Sequence, residues 1–186
     1  MNKFNVTAST LVIVACTAGA LQAAQTTSKD AQLLASAASA APRAIGSKAT
    51  VMALGANGKM TTLRAGSNGW TCFPDDPGSP GNDPMCLDRN GMAWMTALMG
   101  HKVPPAGKVG LSYMLQGGSD ASNVDPRATK PPAGAKWVST GPHVMILSAA
   151  AATASGYPTG QQNPDTSKPY IMYGGTPYQH IMLPIR

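Results

Sequence analysis

At 186 residues the chain is long enough for one ordinary domain and too short for two of typical size. Only 12% of residues are charged, all eight acids are aspartate, and 20 glycines and 16 prolines accompany them, so turns and strands should outweigh helices. The net charge of +6 comes from basic residues scattered singly from Lys29 onward, with no stripe and no interleaved aromatics, which argues against a nucleic-acid partner.

The N-terminus has the pattern of a signal peptide over residues 1–23. Lys3 gives the positive start, Leu11 to Ala20 the apolar run, and Leu21-Gln22-Ala23 a cleavage site before Ala24. The run is too short, and too rich in Thr, Ala and Gly, for a comfortable membrane span, so no transmembrane segment is expected in the mature chain. Ile13-Val14-Ala15-Cys16 also fits the motif cut and lipidated in bacterial lipoproteins, which would make Cys16 an acyl anchor. The apolar stretch before Cys16 is short for that purpose, and ordinary cleavage is favoured. Either route leaves the domain outside the cytoplasm, periplasmic, secreted or tethered.

Residues 24–48 are rich in Ala and Ser, and Asp30 can cap a short helix to Ala41; a partial helix followed by a linker is expected. One domain should then occupy residues 49–186. Thr50 to Leu54 and Lys59 to Arg64 flank Asn57-Gly58, a dipeptide suited to a tight hairpin turn. Trp70 to Asp88 follows, a Pro/Gly/Asp-rich stretch holding Cys72 and Cys86. In an oxidising compartment this even pair reads as a disulfide, whose loop of about fifteen residues should contribute about 3 kcal/mol. A zinc site lacks the C-x-x-C spacing and a nearby His.

Asp88 can cap a helix over about 88–100, with Met92, Met95 and Met99 as its apolar face and Gly100 at its stop. Strands are expected at Val109 to Leu115, Trp137 to Thr140, His143 to Leu147, Tyr170 to Tyr173 and Gln179 to Leu183. Two long turn-rich segments, 116–136 and 148–169, separate them. The sum is an α+β fold, loop-rich, with a mainly antiparallel sheet, one short helix and one disulfide.

Four constellations could carry chemistry. His143-Val144-Met145 and His180-Ile181-Met182 each place an imidazole and a thioether on one strand face, so converging strands would offer His143, Met145, His180 and Met182 to copper. Buried core strands with adaptable methionines are the competing explanation. Asp75, Asp76, Asn82, Asp83 and Asp88, with Asp120, Asn123 and Asp125, supply oxygens for calcium, although they lack a calcium-loop spacing and fit ordinary turns. Gly117-Gly118-Ser119-Asp120 offers a serine that His143 or His180 could activate, oriented by Asp120 or Asp125, in a hydrolase without a recognised motif. Finally, Trp70, Trp137, Tyr113, Tyr170, Tyr173 and Tyr178 could line a cleft or fill a core.

The strings GSNGWTCFPDDPGSPGNDPMCLD (66–88), YMLQGGSDASNVDP (113–126), WVSTGPHVMI (137–146) and GTPYQHIMLPI (175–185) together resemble a group of uncharacterised exported proteobacterial proteins. The resemblance spans about residues 49–186 and implies a single exported domain; it implies no activity, cofactor or catalytic residue. The sequence therefore points to an exported envelope protein that binds a small ligand or a metal. A hydrolase, or a structural or interaction protein of the envelope, are the alternatives.

Overall fold

Period-two burial marks half the strands of the main sheet. In the computed structural model, which describes residues 17–55 and 58–185, the elements run α1 (Thr17–Ser39), α2 (Arg43–Gly46), β1 (Thr50–Leu54), β2 (Met60–Arg64), β3 (Thr71–Phe73), β4 (Met85–Leu87), α3 (Arg89–Met99), β5 (Gly110–Met114), β6 (Gly118–Asp120), β7 (Val138–Thr140), β8 (His143–Leu147), α4 (Ala149–Ser155), β9 (Tyr170–Met172) and β10 (His180–Pro184). Lys3, the Leu11 end of the leader, Cys16 and Asn57 of the expected turn lie outside the described residues. Eight strands form one sheet in the order β2-β1-β3-β4-β5-β8-β10-β9, and β6 pairs with β7 as a separate ribbon. Every pairing is antiparallel except β1 with β3, so the fold is α+β with a mainly antiparallel sheet.

One face of the sheet carries Leu87, Met145, Leu147, Met172 and Met182, which pack with Trp94 of α3. The other face is covered in two places. The end of α1 lays Ala37, Ala40 and Ala41 over Val51 and the two cysteines, and α4 lays Ala152 over Ile171 and Ile181. Small alanines let a helix sit close to a sheet, which is why this Ala-rich segment docks where a linker was expected. It is helix to Ser39, and Leu115 N–H donates to Ala40 carbonyl at 2.9 Å, tying it to β5.

The expected hairpin forms between β1 and β2, with Gly58 at φ +72°. Cys72 and Cys86 stand directly opposite each other on β3 and β4 and are bonded, Cα to Cα 4.0 Å. Asp88 caps α3, its carboxylate accepting from Gly91 N–H at 2.6 Å and Leu111 N–H at 3.1 Å. Of the expected face, Met92 and Met95 pack partly buried against the core, but Met99 is 75% exposed, and the buried residues are Gly91, Trp94 and Ala97. A second unexpected helix, α4, follows an N-cap at Ser148 and ends at Gly156 in the left-handed conformation.

Candidate functional site

A cleft of about 500 Å³ opens on the α3 face, between that helix, the Cys72–Cys86 loop and the β6–β7 ribbon. Its floor is apolar, made by thioethers such as Met85, Met114, Met145 and Met172 with Leu147, and its walls include Trp94 and Trp137. The stapled loop supplies the rim through Asp76, Ser79 and Asp83. Most acids in that loop are occupied with its turns. Asp75 accepts from Asp83 N–H at 2.8 Å, Asp76 from Gly78 N–H at 2.9 Å, and Asp83 from Ser79 Oγ–H at 2.5 Å.

The ribbon positions Asp120. Gly118 packs onto the sheet so closely that a Cβ there would lie 3.2 Å from His143 Cε1 and 3.6 Å from Met114 Sδ. Strand alternation puts Gly118 and Asp120 on one side and Ser119 on the other, where Ser119 meets Gly81 of the stapled loop. Asp120, like Ser119, lines the cleft. Burial, and secondarily the Asp83 charge, push its carboxyl up to about 7, and no hydrogen bond among the described residues relieves it.

Two more polar groups share the cleft. Tyr173 ends β9 at φ +56°, a conformation side chains rarely adopt. Its N–H donates to Asn123 carbonyl at 2.7 Å and its own carbonyl accepts from Thr176 Oγ–H at 2.7 Å, which fixes the strained turn. Its phenol has no hydrogen-bond partner among the described residues, and burial raises its pKa, with the Asp120 charge adding to the effect. Beside it, 5.4 Å between ring centres, lies His180, which also meets Trp94 edge-on at 5.1 Å. His180 Nδ1 is 3.0 Å from Tyr178 carbonyl, which can only accept, so Nδ1 carries the proton and Nε2 a free lone pair. Burial lowers its pKa to about 4, leaving a neutral imidazole at pH 7.

The other expected site residues fall elsewhere. His143 is fully buried, its Nδ1–H donating to Gly141 carbonyl at 2.7 Å and its Nε2 without a partner. Met145 and Met182 are cross-strand neighbours, but His143 stands opposite Pro184, four residues along β10 from His180. That offset is about 13 Å of strand, so the four-ligand copper set is not assembled, although the His143 charge disfavours that of His180. Among the described residues no three His, Cys, Asp or Glu side chains gather as a metal site. The calcium oxygens are similarly dispersed: Asp88 caps α3, Asn123 Nδ2 donates to Gln161 carbonyl, and the exposed Asp125 accepts from Arg127 N–H. Ser119 makes no hydrogen bond to a histidine among the described residues, so the triad sketched from the sequence is not formed, while Asp120 and His180 do share the cleft. Of the aromatics, Trp137 and Tyr173 line it, Trp70 and Tyr113 stack near the disulfide at 5.4 Å, and Tyr170 and Tyr178 fill the core. Trp94 is the lining residue whose role sequence reasoning missed; it lies between the methionines expected to form the helix face.

The charge on Asp120 has a measurable consequence for stability. Its folded pKa lies above its unfolded value, so the native protein holds a proton that the unfolded chain releases between about pH 4 and 7. Stability therefore falls as pH rises through that window, and the full penalty applies above it. Asp120→Asn should be more stable than wild type by about 1–2 kcal/mol at pH 8, an advantage that shrinks steadily toward pH 4. Urea titrations of both proteins across pH 4–8 would show it, and a difference independent of pH would refute it.

No helix among the described residues is long and apolar enough to cross a membrane. Comparison of the chain with family models, with curated proteins and with solved structures finds no match in any of the three.

Proposed function

We propose that this is an extracytoplasmic binding protein whose cleft takes a small amphipathic molecule. One observation carries the reading: Asp120, Tyr173 and His180 line one methionine-floored cleft, and among the described residues no hydrogen bond holds the Asp120 carboxyl, the Tyr173 phenol or His180 Nε2. A few polar groups over an apolar floor are the usual form of a ligand site. The leader-like N-terminus and the disulfide support the compartment. The resemblance to exported proteobacterial proteins is consistent with it. A small-molecule library screened by thermal unfolding of wild type and Trp137→Ala tests the reading, because a ligand that binds only the native state raises the midpoint. Hits of several degrees in wild type that shrink at least by half in the variant are expected; no hit at millimolar ligand would sink it.

A hydrolase is the second reading, favoured by a carboxyl held near neutrality beside a neutral imidazole in one cleft. An ester, amide and glycoside screen separates the two. Turnover that disappears in Asp120→Asn, with the fold kept, would favour the enzyme.

A further inference from the structure

We infer that the polar end of the cleft recognises a protonated amine: an N–H-bearing ammonium on an apolar body, its hydrogens donated to the Asp120 carboxylate and His180 Nε2. The inference rests on the binding reading above and adds the chemical class of the ligand.

Charge is the first argument. Basic residues outnumber acidic ones 14 to 8 in the whole chain, yet three of the eight acids, Asp76, Asp83 and Asp120, line this cleft. No Lys or Arg among the described residues lines it. An anionic head group would meet carboxylates and no counter-charge.

Hydrogen-bond polarity is the second, and it is independent of the first. His180 lines the cleft, is 2% exposed and spends its one proton on Tyr178 carbonyl, so its Nε2 can only accept. Asp120, when ionised, also only accepts. A ligand that satisfies both must bring hydrogen-bond donors, which an ammonium does and an ether or carbonyl compound does not. The walls suit such a ligand as well. Trp94 and Trp137 bring aromatic rings, which attract cations, to the walls, and the thioethers give a polarisable, adaptable floor for the attached carbon chain. A quaternary ammonium would use the rings but leave both acceptors unpaired.

Four probes of one shape decide the matter on the purified full chain: 2-phenylethylamine, trimethyl(2-phenylethyl)ammonium, 2-phenylethanol and 3-phenylpropanoate, followed by calorimetry and thermal unfolding at pH 7.5. The amine should bind at least tenfold tighter than the alcohol and several-fold tighter than the quaternary ion, with no binding of the carboxylate. Asp120→Asn should weaken the amine about tenfold and leave the alcohol within twofold. Asp125→Asn, an exposed acid outside the cleft, should change nothing. Equal or tighter binding of the alcohol or the carboxylate overturns the amine and leaves the cleft reading standing, as does amine affinity unaltered in Asp120→Asn. Silence from all four probes, joined by silence in the wider library, overturns both.

Discussion

Gly110→Ala should destabilise the protein by about 3 kcal/mol, the effect of forcing a methyl group into the backbone of a packed helix. A Cβ at Gly110 would lie 2.5 Å from Gly91 N and 2.6 Å from Gly91 Cα, with no flexible side chain to give way. The helix α3 is bolted at that point. Asp88 N–H donates to Leu111 carbonyl at 3.0 Å, and the Asp88 carboxylate returns a bond to Leu111 N–H. Relief therefore requires moving the whole helix and the Trp94, Met95 and Leu98 wall of the cleft with it. Gly91→Ala makes the internal control. Its Cβ would meet Leu111 O at 2.9 Å and the movable Leu87 Cδ2 at 3.0 Å, while alanine gains up to about 1 kcal/mol of helix propensity. Urea denaturation should rank Gly110→Ala well below Gly91→Ala. A Gly110→Ala protein within 1 kcal/mol of wild type would remove the close contact as an explanation of the fold.

That glycine pair also shows how far local sequence reaches. Gly91 reads as a weakness in the first turn of α3, and only the tertiary approach of β5 explains it. The hairpin at Gly58, the Asp88 cap and the strand at His143–Leu147 were legible because turn chemistry and period-two burial are local. The strands β3, β4 and β6 were not. Three residues each, in Pro-, Gly- and Asp-rich surroundings, they carry little strand signal of their own and are held by pairing across the fold. The helix α4 was missed although Ser148 and Gly156 mark both its ends, because its alanines lay inside a segment taken as a loop. The site was half visible. Asp120 and His180 stood out as titratable residues, but the cleft gathers chain from Asp76 to His180, and no spacing rule predicts that convergence. The two His-x-Met strings look equivalent in sequence. Register alone separates them, sending His180 to the cleft and His143 beneath the ribbon.

Replacing both cysteines, Cys72→Ala with Cys86→Ala, should lower stability by at least about 3 kcal/mol, which for a domain of this size means a fall of about 6–12 °C in Tm. In the chain-entropy model the loss arises in the unfolded state, where the bond closes a loop of sequence separation 14. The native ladder does not depend on the bond, since β3 and β4 also pair through Thr71 with Leu87 and Phe73 with Met85. A reduced protein should therefore fold at low temperature with its sheet intact. It should nevertheless lose function, for a local reason. The bridged segment carries Asp76, Ser79 and Asp83 at the rim of the cleft, and its own bonds are the short-range bonds of turns. Both sulfurs are fully buried against Ala37 and Val51, so truncation also opens space under α1, adding to the loss. Wild type unfolded with and without reductant, alongside the double variant, separates these contributions. Reduction alone should give most of the drop, with the variant slightly below the reduced wild type. Affinity for the amine probe should weaken in both, since the rim is no longer held closed at its ends. Unchanged Tm on reduction would mean the ladder and the α1 docking fix the loop unaided, and the bond would then be dispensable to both the fold and the site.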